Sequence, residues 1–373
     1  MKLESKYDVV VLGGGPAGLA AAIAIRMKAP VSVLVAEGQA KGQERIGESC
    51  PPDTILLLRQ LGLDKAFYQG GHSTCPGYAS VWGHPQVGYN DFIVNPLGPS
   101  WRLNRKAFDQ MLADQATHLG AQVAWSLRFS DAQKISPEVD GYTLQFLQAV
   151  DKSVHRLQAR FVIDATGAQA RFARALGFSK TIEDQLVAVV RFAQLSGGNM
   201  TRQVQLEASP DGWWYNALLP DERVVSMLVT DTAQQPLLRA GNFQGFEQAL
   251  ADTSFIGPTL QKLHLQAPQY YTWPVFSGIL DTITGEDWMA VGDAASSFDP
   301  IAAQGIYKAL SDGLFAAGKV AAFFQKDATY SDNFSDRIRQ RYEGYRQHRA
   351  YWYALERRWP ECDFWQRRLG KLS

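Results

Sequence analysis

The chain has 373 residues, 46% hydrophobic and 20% charged, and its 37 Lys+Arg balance 37 Asp+Glu. That balance argues against a nucleic-acid or anionic-membrane partner, and the composition is that of a globular protein with room for two domains or one large one. No apolar run reaches the roughly 18 residues of a membrane span. The charged start Met1-Lys2-Leu3-Glu4 is not expected to be a signal peptide, and Cys50, Cys75 and Cys362 offer neither a disulfide framework nor zinc-ligand spacing, so a cytoplasmic protein is expected.

In chain order, Val9–Leu12 is a short β-branched apolar run, the pattern of a buried parallel strand. Gly13, Gly15 and Gly18 follow with G-x-G-x-x-G spacing, then a small-residue helix over Leu19–Met27 and a second strand, Val31–Val35, ending near Glu37. A Gly/Gln/Lys-rich loop leads to Arg45-Ile46-Gly47-Glu48-Ser49-Cys50-Pro51-Pro52, after which Asp53 is placed to cap a helix over Thr54–Leu61. Residues 70–100 are broken by Gly and Pro, with short strands expected at Tyr78–Trp82 and Gly88–Val94. A helix is expected over Arg105–Leu119, strands over Ala121–Arg128 and Thr143–Ala149, and a buried strand from Phe161 to the tight turn at Asp164-Ala165-Thr166-Gly167. Alternating strands then run through Leu186–Ala193, Val204–Glu207, Trp213–Leu219, Val224–Thr230 and Tyr270–Val275, interrupted by a helix at Phe243–Asp252. Trp288–Asp293 reads as a return strand, Gly305–Phe324 as a long helix, and residues 335–369 as one or two helices rich in Arg and aromatics.

The fold class expected is α/β: a Rossmann-like dinucleotide-binding domain, an inserted, mostly antiparallel substrate domain and a C-terminal helical segment. The boundaries expected are 1–75, 101–181 and 277–330 for the first, 76–100 and 182–276 for the second, and 331–373 for the third.

The chemistry is carried by segments far apart in sequence. In the first, Gly13 permits a tight turn, Gly15 lets the backbone approach a pyrophosphate, Gly18 lets helix and strand pack closely, and Pro16 and Ala17 open a helix whose N–H groups face the phosphates. Glu37 lies where an acid accepts hydrogen bonds from ribose hydroxyls. The second segment is Asp164 to Arg171. The third is Gly292-Asp293 through Asp299-Pro300, followed by Gln304-Gly305-Ile306 at a helix start. Asp293 can accept from a ribityl hydroxyl. The N–H groups of Gly305 and Ile306, with the helix dipole, can hold negative charge on a reduced flavin ring. Nicotinamide cofactors have no such ring anion, so the third segment favours FAD.

These motifs resemble the flavin monooxygenase superfamily, which includes aromatic hydroxylases and flavin-dependent halogenases. The resemblance implies that Gly13, Gly15, Gly18 and Glu37 meet the ADP half of FAD, that Arg105 reaches the pyrophosphate, and that Asp293 holds the ribityl chain, with Ser49, Asp164, Gly292 and Pro300 around the same cofactor. The halogenase branch fits poorly at the reacting end. Its lysine is absent between Lys65 and Lys106, its glutamate after Asp299-Pro300 is Ala302, and its W-x-W-x-I-P becomes Tyr215-x-Ala217-x-Leu219-Pro220. The chain is more similar to the small flavoproteins that mature quinone cofactors inside amino-acid oxidases, the modifying partners of lysine ε-oxidase and glycine oxidase (the LodB/GoxB type). That likeness runs through Gly47-Glu48-Ser49-Cys50-Pro51-Pro52, Trp101-Arg102-Leu103-Asn104-Arg105, Asp211-Gly212-Trp213-Trp214-Tyr215 and Asp299-Pro300-x-x-x-Gln304-Gly305-Ile306.

The resemblance implies a protein substrate: a tryptophan side chain in a precursor oxidase, destined for cysteine tryptophylquinone. Trp82, Trp101, Trp213, Trp214 and Tyr215 are candidates for lining the indole pocket, with core packing as the alternative reading. Glu48 is a candidate for orienting substrate or moving a proton, beside Gln304 and Gly305 at the reacting end. No second nucleotide-binding unit is visible, so a transient reductant is expected. Two competing readings are a monooxygenase or halogenase acting on a small or carrier-bound aromatic, and a flavin-bearing scaffold for the precursor without chemistry. Glu37→Ala is expected, from the sequence, to weaken FAD binding with little loss of fold.

Overall fold

The structure, a computed structural model, describes residues 3–92, 94–136, 138–232 and 243–370. It divides into two compact units: Met1–Gly71, Arg105–Ile182 and Gly278–Glu343 form the first; His72–Asn104, Glu183–Ser277 and Gly344–Ser373 the second.

The first unit is built on a parallel core. Strand β1 (Lys6–Leu12) pairs in parallel with β2 (Val33–Ala36) on one side and with Val154–Asp164 on the other, and Gln122–Ala124 extends the sheet beyond β2. Val9 to Leu12 and Val33 to Ala36 are buried throughout, as strands covered on both faces require. Helix α1 (Pro16–Lys28) connects them, with Pro16 in its first turn and Ala17 to Ile25 buried. Its last turn carries Arg26, which donates to the Leu119 and Val31 carbonyls. Small residues let the Gly305–Gln325 helix lie close: a Cβ on Gly313 would come within 2.7 Å of the Ala17 carbonyl oxygen.

The sequence suggested a strand from Phe161 with His155–Ala159 leading into it; the structure joins them as one strand, Val154–Asp164, with two kinds of neighbour. Its first half pairs antiparallel with Val139–Gln148, and its end pairs in parallel with Trp288–Ala290. Burial follows: Val154, Arg156 and Arg160 are exposed while Phe161 to Asp164 are continuously buried. Leu127–Ser136 completes an antiparallel extension. The expected single strand Ala121–Arg128 is in fact two, because the chain turns at Trp125-Ser126, where Ser126 has φ 61°. The extension is pinned by Asp287, 2% exposed, which accepts from Gly141 N–H at 2.7 Å, from Tyr142 OH at 2.9 Å and from Lys134. Asp53 does not cap the Thr54–Gln60 helix; its side chain hydrogen-bonds Tyr307, and burial raises its carboxyl above the usual range.

In the second unit, a sheet runs in the order His264–Pro274, Leu186–Gly197, Arg223–Asp231, Gly212–Leu218, Val204–Ser209, Gly77–Val81, Gly88–Asp91. It is antiparallel except where Val204–Ser209 meets Gly77–Val81. Helices Gln244–Ala251 and Ile256–Leu260 bring Phe246, Leu250 and Ile256 onto Trp214, Leu228 and Val189. Glu207, 3% exposed, starts the second of these helices by accepting from the backbone N–H groups of Ser254, Phe255 and Ile256. The sequence assigned Trp101 and Arg102 to the nucleotide-binding domain. They belong instead to the second unit, because Ser100–Arg102 pairs antiparallel with Ser73–Cys75. The C-terminal segment is likewise shared. Arg341 pairs with Asp312 in the first unit, whereas Tyr353 and Trp365 pack with Trp82 and Trp213 in the second.

His72 in the second unit accepts from the Asn104 N–H through Nδ1 at 3.2 Å, and burial lowers its pKa to about 4. Above its ordinary value of about 6.5 the ring is neutral in both folded and unfolded chains. Between there and about 4 the unfolded chain binds a proton that the folded chain refuses, so stability is lost as pH falls through that window. Allowing for partial exposure, the loss is about 1–2 kcal/mol. Thermal unfolding from pH 7 to 4 should show it in the wild type and show less in His72→Gln; parallel curves would refute the assignment.

Candidate functional site

The first unit gathers the end of β1, the start of α1, the Asp164 turn, the Gly292-Asp293 turn and the start of the Gly305–Gln325 helix. The backbone does the joining: Gly13 N–H donates to the Ala36 carbonyl, Ala165 N–H to the Leu12 carbonyl, and Val291 N–H to the Asp164 carbonyl, at 2.8–2.9 Å. The segments separated in sequence therefore meet at adjacent strand ends.

Each glycine has its own reason. Gly13 has φ 110°, and a Cβ there would lie 2.2 Å from the Ala165 carbonyl oxygen. At Gly18 a Cβ would lie 2.0 Å from the Gly13 carbonyl oxygen. Gly15 differs: it meets only Arg45 Nη1, at 3.4 Å, so it borders open space. It is also the N-cap of α1 and supplies no side-chain cap, leaving the helix's first N–H groups to whatever approaches. Gly305 repeats the arrangement. Nothing lies within 4 Å of its missing Cβ, and its helix has no side-chain cap and no acid in its first turn.

Glu37 is 7% exposed. Its carboxylate accepts from Gly14 N–H at 2.8 Å and Gln39 N–H at 2.7 Å, and pairs with Arg45 at 3.0 Å. Arg45, which the sequence did not single out, is the guanidinium beside Gly15. Arg105, which shares Asp109 with Arg45, is 8% exposed, donates to the Ile46 and Gly47 carbonyls, and binds Asp109 at 3.2 Å, against 3.5 Å for Arg45. It clamps the loop that leads to Glu48 and Ser49, and Glu48 is itself 6% exposed.

Asp164 is fully buried, and its carboxylate serves the local turn. Oδ1 accepts from Thr166 N–H at 3.0 Å and Thr166 Oγ1 at 2.7 Å, and Oδ2 from Phe172 and Ala173 N–H at 3.0 Å. It positions the turn. Gly292, φ 61°, donates its N–H to Asp312 Oδ2 at 3.0 Å, and Arg341 grips Asp312 at 2.7 and 2.8 Å. Asp293 points outward with its side chain 49% exposed, paired through Oδ1 with buried Lys308 at 2.7 Å. Asp299, 1% exposed, accepts from Ile301 N–H at 3.0 Å and sets the turn at Pro300 that precedes exposed Gln304 and Gly305 and buried Ile306.

Two uncapped helix starts, a glycine edge open to approach and two acids at strand ends form a cradle suited to a dinucleotide. Glu37 stands beside the start of α1, and Asp293, Gly305 and Ile306 stand beside or at the start of the Gly305–Gln325 helix.

The aromatic candidates fare differently. Trp213 and Trp214 are each 1% exposed. Trp214 lies in the core beneath the helices, and Trp213 Nε1 donates to Tyr353 OH at 3.0 Å. Both are packing residues, because this sheet is covered on both faces and successive side chains are buried in turn. Trp82 joins the cluster with Trp213, Tyr353 and Trp365 and donates to the Trp352 carbonyl at 2.8 Å. The Tyr215 hydroxyl takes a hydrogen bond of 2.5 Å from buried Arg102. Trp101 is partly exposed.

Glu37→Ala is expected to weaken FAD retention at least tenfold. Contrary to the expectation from sequence, it should also lower stability by about 2 kcal/mol, because two backbone N–H groups and Arg45 lose their acceptor. Flavin release followed by fluorescence and thermal unfolding check the two parts; unchanged retention would refute the ribose role.

Residues 6–344 match the family model for the FAD binding domain. LodB of Marinomonas mediterranea, a protein named for FAD-dependent oxidoreductase chemistry, is 28% identical over 97% of this chain and 96% of its own length. Among solved structures, the myxobacterial chondrochloren halogenase CndH superposes with a TM-score of 0.84 at 21% identity, covering 98% of this chain and 86% of that one. The peptidyl tryptophan dihydroxylase QhpG, essential for tryptophylquinone cofactor biogenesis, gives 0.78 at 24% identity, covering 97% and 78%. Among the described residues no helix is long and apolar enough to cross a membrane. The chain belongs to the FAD binding domain family, and it is an FAD-dependent oxidoreductase.

Proposed function

We propose that this flavoenzyme modifies a tryptophan side chain in a precursor amino-acid oxidase, adding oxygen to the indole on the way to cysteine tryptophylquinone. The observation that carries the reading is a likeness to LodB that runs the length of both chains. The named role of the QhpG neighbour supports it. So does the sequence at the reacting end, where a halogenase would need a lysine between Lys65 and Lys106 and a glutamate at Ala302.

Bound FAD, reduced and exposed to O₂, supplies an oxygen donor to an electron-rich ring. The residues of this chain do the rest. Glu37 holds the ribose and Asp293 accepts from a ribityl hydroxyl. The N–H groups of Gly305 and Ile306, at the start of a long helix, hold negative charge at the ring end. Glu48, buried beside the loop that Arg105 clamps, orients the indole or moves its proton, and Gln304 borders the same edge. The partner is the precursor protein, and the reductant is transient.

Co-expression of a candidate precursor with and without this protein, followed by intact mass, tests the reading. Added oxygen that disappears in a flavin-free Gly15→Val variant is the expected result. Equal maturation by that variant would favour a scaffold. The halogenase-like fold supports a second reading, a monooxygenase or halogenase of a small or carrier-bound aromatic. Turnover of free indoles or phenols, with the precursor untouched, would select it.

A further inference from the structure

A lysine lies under the flavin turn where an apolar residue would suit the packing. Lys308 is on the inner face of the Gly305–Gln325 helix, among buried Ile306, Ala309 and Leu310, and is 1% exposed. Its Nζ donates to Asp293 Oδ1 at 2.7 Å and to the Ser296 carbonyl, and lies 4.8 Å from the centre of the Phe298 ring. The loop from Asp293 to Phe298 is thus folded around one ammonium group. A second lysine supports the same turn from behind: Lys180 Nζ donates to the Asp293 backbone carbonyl at 2.7 Å and to the Ala168 carbonyl at 3.0 Å, and burial lowers its pKa to about 7.

Burying a lysine costs several kcal/mol unless it is paired and hydrogen-bonded. Here burial lowers the Lys308 ammonium and Asp293 pulls it back up. The pair takes only the inner side of Asp293, whose side chain stays 49% exposed. Without Lys308 the carboxylate would keep no ammonium on its own oxygens, since Lys180 reaches only the backbone carbonyl, and would set negative charge beside a cofactor that becomes an anion when two electrons reach it.

We propose that Lys308 is the counter-cation of the flavin turn: it holds Asp293 aimed outward and cancels its charge, so that reduced FAD is not repelled. The inference rests on Asp293 meeting the ribityl chain. It makes Lys308 a positioning residue with an electrostatic duty.

The test is the affinity of the apoprotein for oxidised and for reduced FAD, measured anaerobically. Lys308→Met should weaken both, and should weaken the reduced form on the order of tenfold more, the size expected for one uncompensated charge at mid-range dielectric. By linkage, that factor is a fall of about 30 mV in the two-electron potential. Adding Asp293→Asn to Lys308→Met removes the stray charge and should return the ratio of the two affinities to the wild-type value, although neither affinity recovers fully. Equal losses for both forms in Lys308→Met would overturn the proposal and leave Lys308 a loop prop. Should Lys308→Met fail to fold, Asp293→Asn is compared with the wild type. Lys308 then faces the cofactor unopposed, so Asp293→Asn should favour reduced over oxidised FAD relative to the wild type, and an unchanged ratio would overturn the proposal. If Asp293 does not meet the ribityl chain at all, Asp293→Asn leaves oxidised FAD affinity unchanged, which separates that failure from this one.

Discussion

Gly18→Ala should cost on the order of 4 kcal/mol and leave little FAD bound. A Cβ at Gly18 would sit 2.0 Å from the Gly13 carbonyl oxygen, 3.0 Å from Val11 Cγ1 and 3.1 Å from Ala165 Cβ. The nearest of these is backbone, and Gly13 has no freedom to retreat, since its own missing Cβ points 2.2 Å from the Ala165 carbonyl oxygen. The new methyl can be relieved only by moving α1 off β1, and α1 buries every residue from Ala17 to Ile25. Because a native fold holds only about 5–15 kcal/mol in total, such a loss is visible at once in thermal unfolding. Gly15→Ala is the contrast. Its Cβ would touch only the flexible end of Arg45, so the protein should melt near the wild-type temperature and yet bind FAD poorly, as expected if the methyl blocks the approach of a pyrophosphate. Melting temperature and flavin content, measured on both variants, separate the packing glycine from the approach glycine. Gly18→Ala melting within a degree or two of wild type would sink the account.

The parallel core was legible because its signals are local. An apolar β-branched run, glycines at fixed spacing and an acid after the second strand report on a few consecutive residues each. The convergence of the Asp164 and Asp293 turns was legible for a related reason: each ends a buried strand, and buried parallel strands end at one edge. What the sequence concealed depends on partners. The turn at Trp125-Ser126 carries neither Gly nor Pro, so nothing marks where one strand stops and the next begins. Trp213 and Trp214 read either as lining for a ring pocket or as core, because adjacent tryptophans suit both, and only the sheet decides between them. Arg45, beside Gly15 and bound to Glu37, carries no local signal, because only the fold brings it to the start of α1. Lys308 and Asp312 look like solvent-facing charges of an amphipathic helix until Asp293, Gly292 and Arg341 are placed around them. Charged residues in this site are defined by what they face, and facing is a tertiary property.

Asp164→Asn should destabilise the protein by about 3 kcal/mol although it changes no volume. Every one of the four hydrogen bonds to this carboxylate comes from a donor: the Thr166 N–H and hydroxyl on one oxygen, the Phe172 and Ala173 N–H groups on the other. An amide offers one acceptor oxygen and turns its NH₂ toward the opposite pair, so whichever way it flips, two donors in a fully buried site meet another donor. The damage is not confined to the turn. The Asp164 carbonyl accepts from Val291 N–H, and Ala165 N–H reaches the Leu12 carbonyl, so the residue's backbone ties the glycine end of the cradle to the Asp293 end. FAD content should therefore fall together with stability. The alternative, that Asp164 holds the cofactor directly, makes a different forecast: flavin lost with the melting temperature of the flavin-free protein unchanged. Measuring apoprotein unfolding in the wild type and in Asp164→Asn decides between them, because only a structural carboxylate is missed when no cofactor is present.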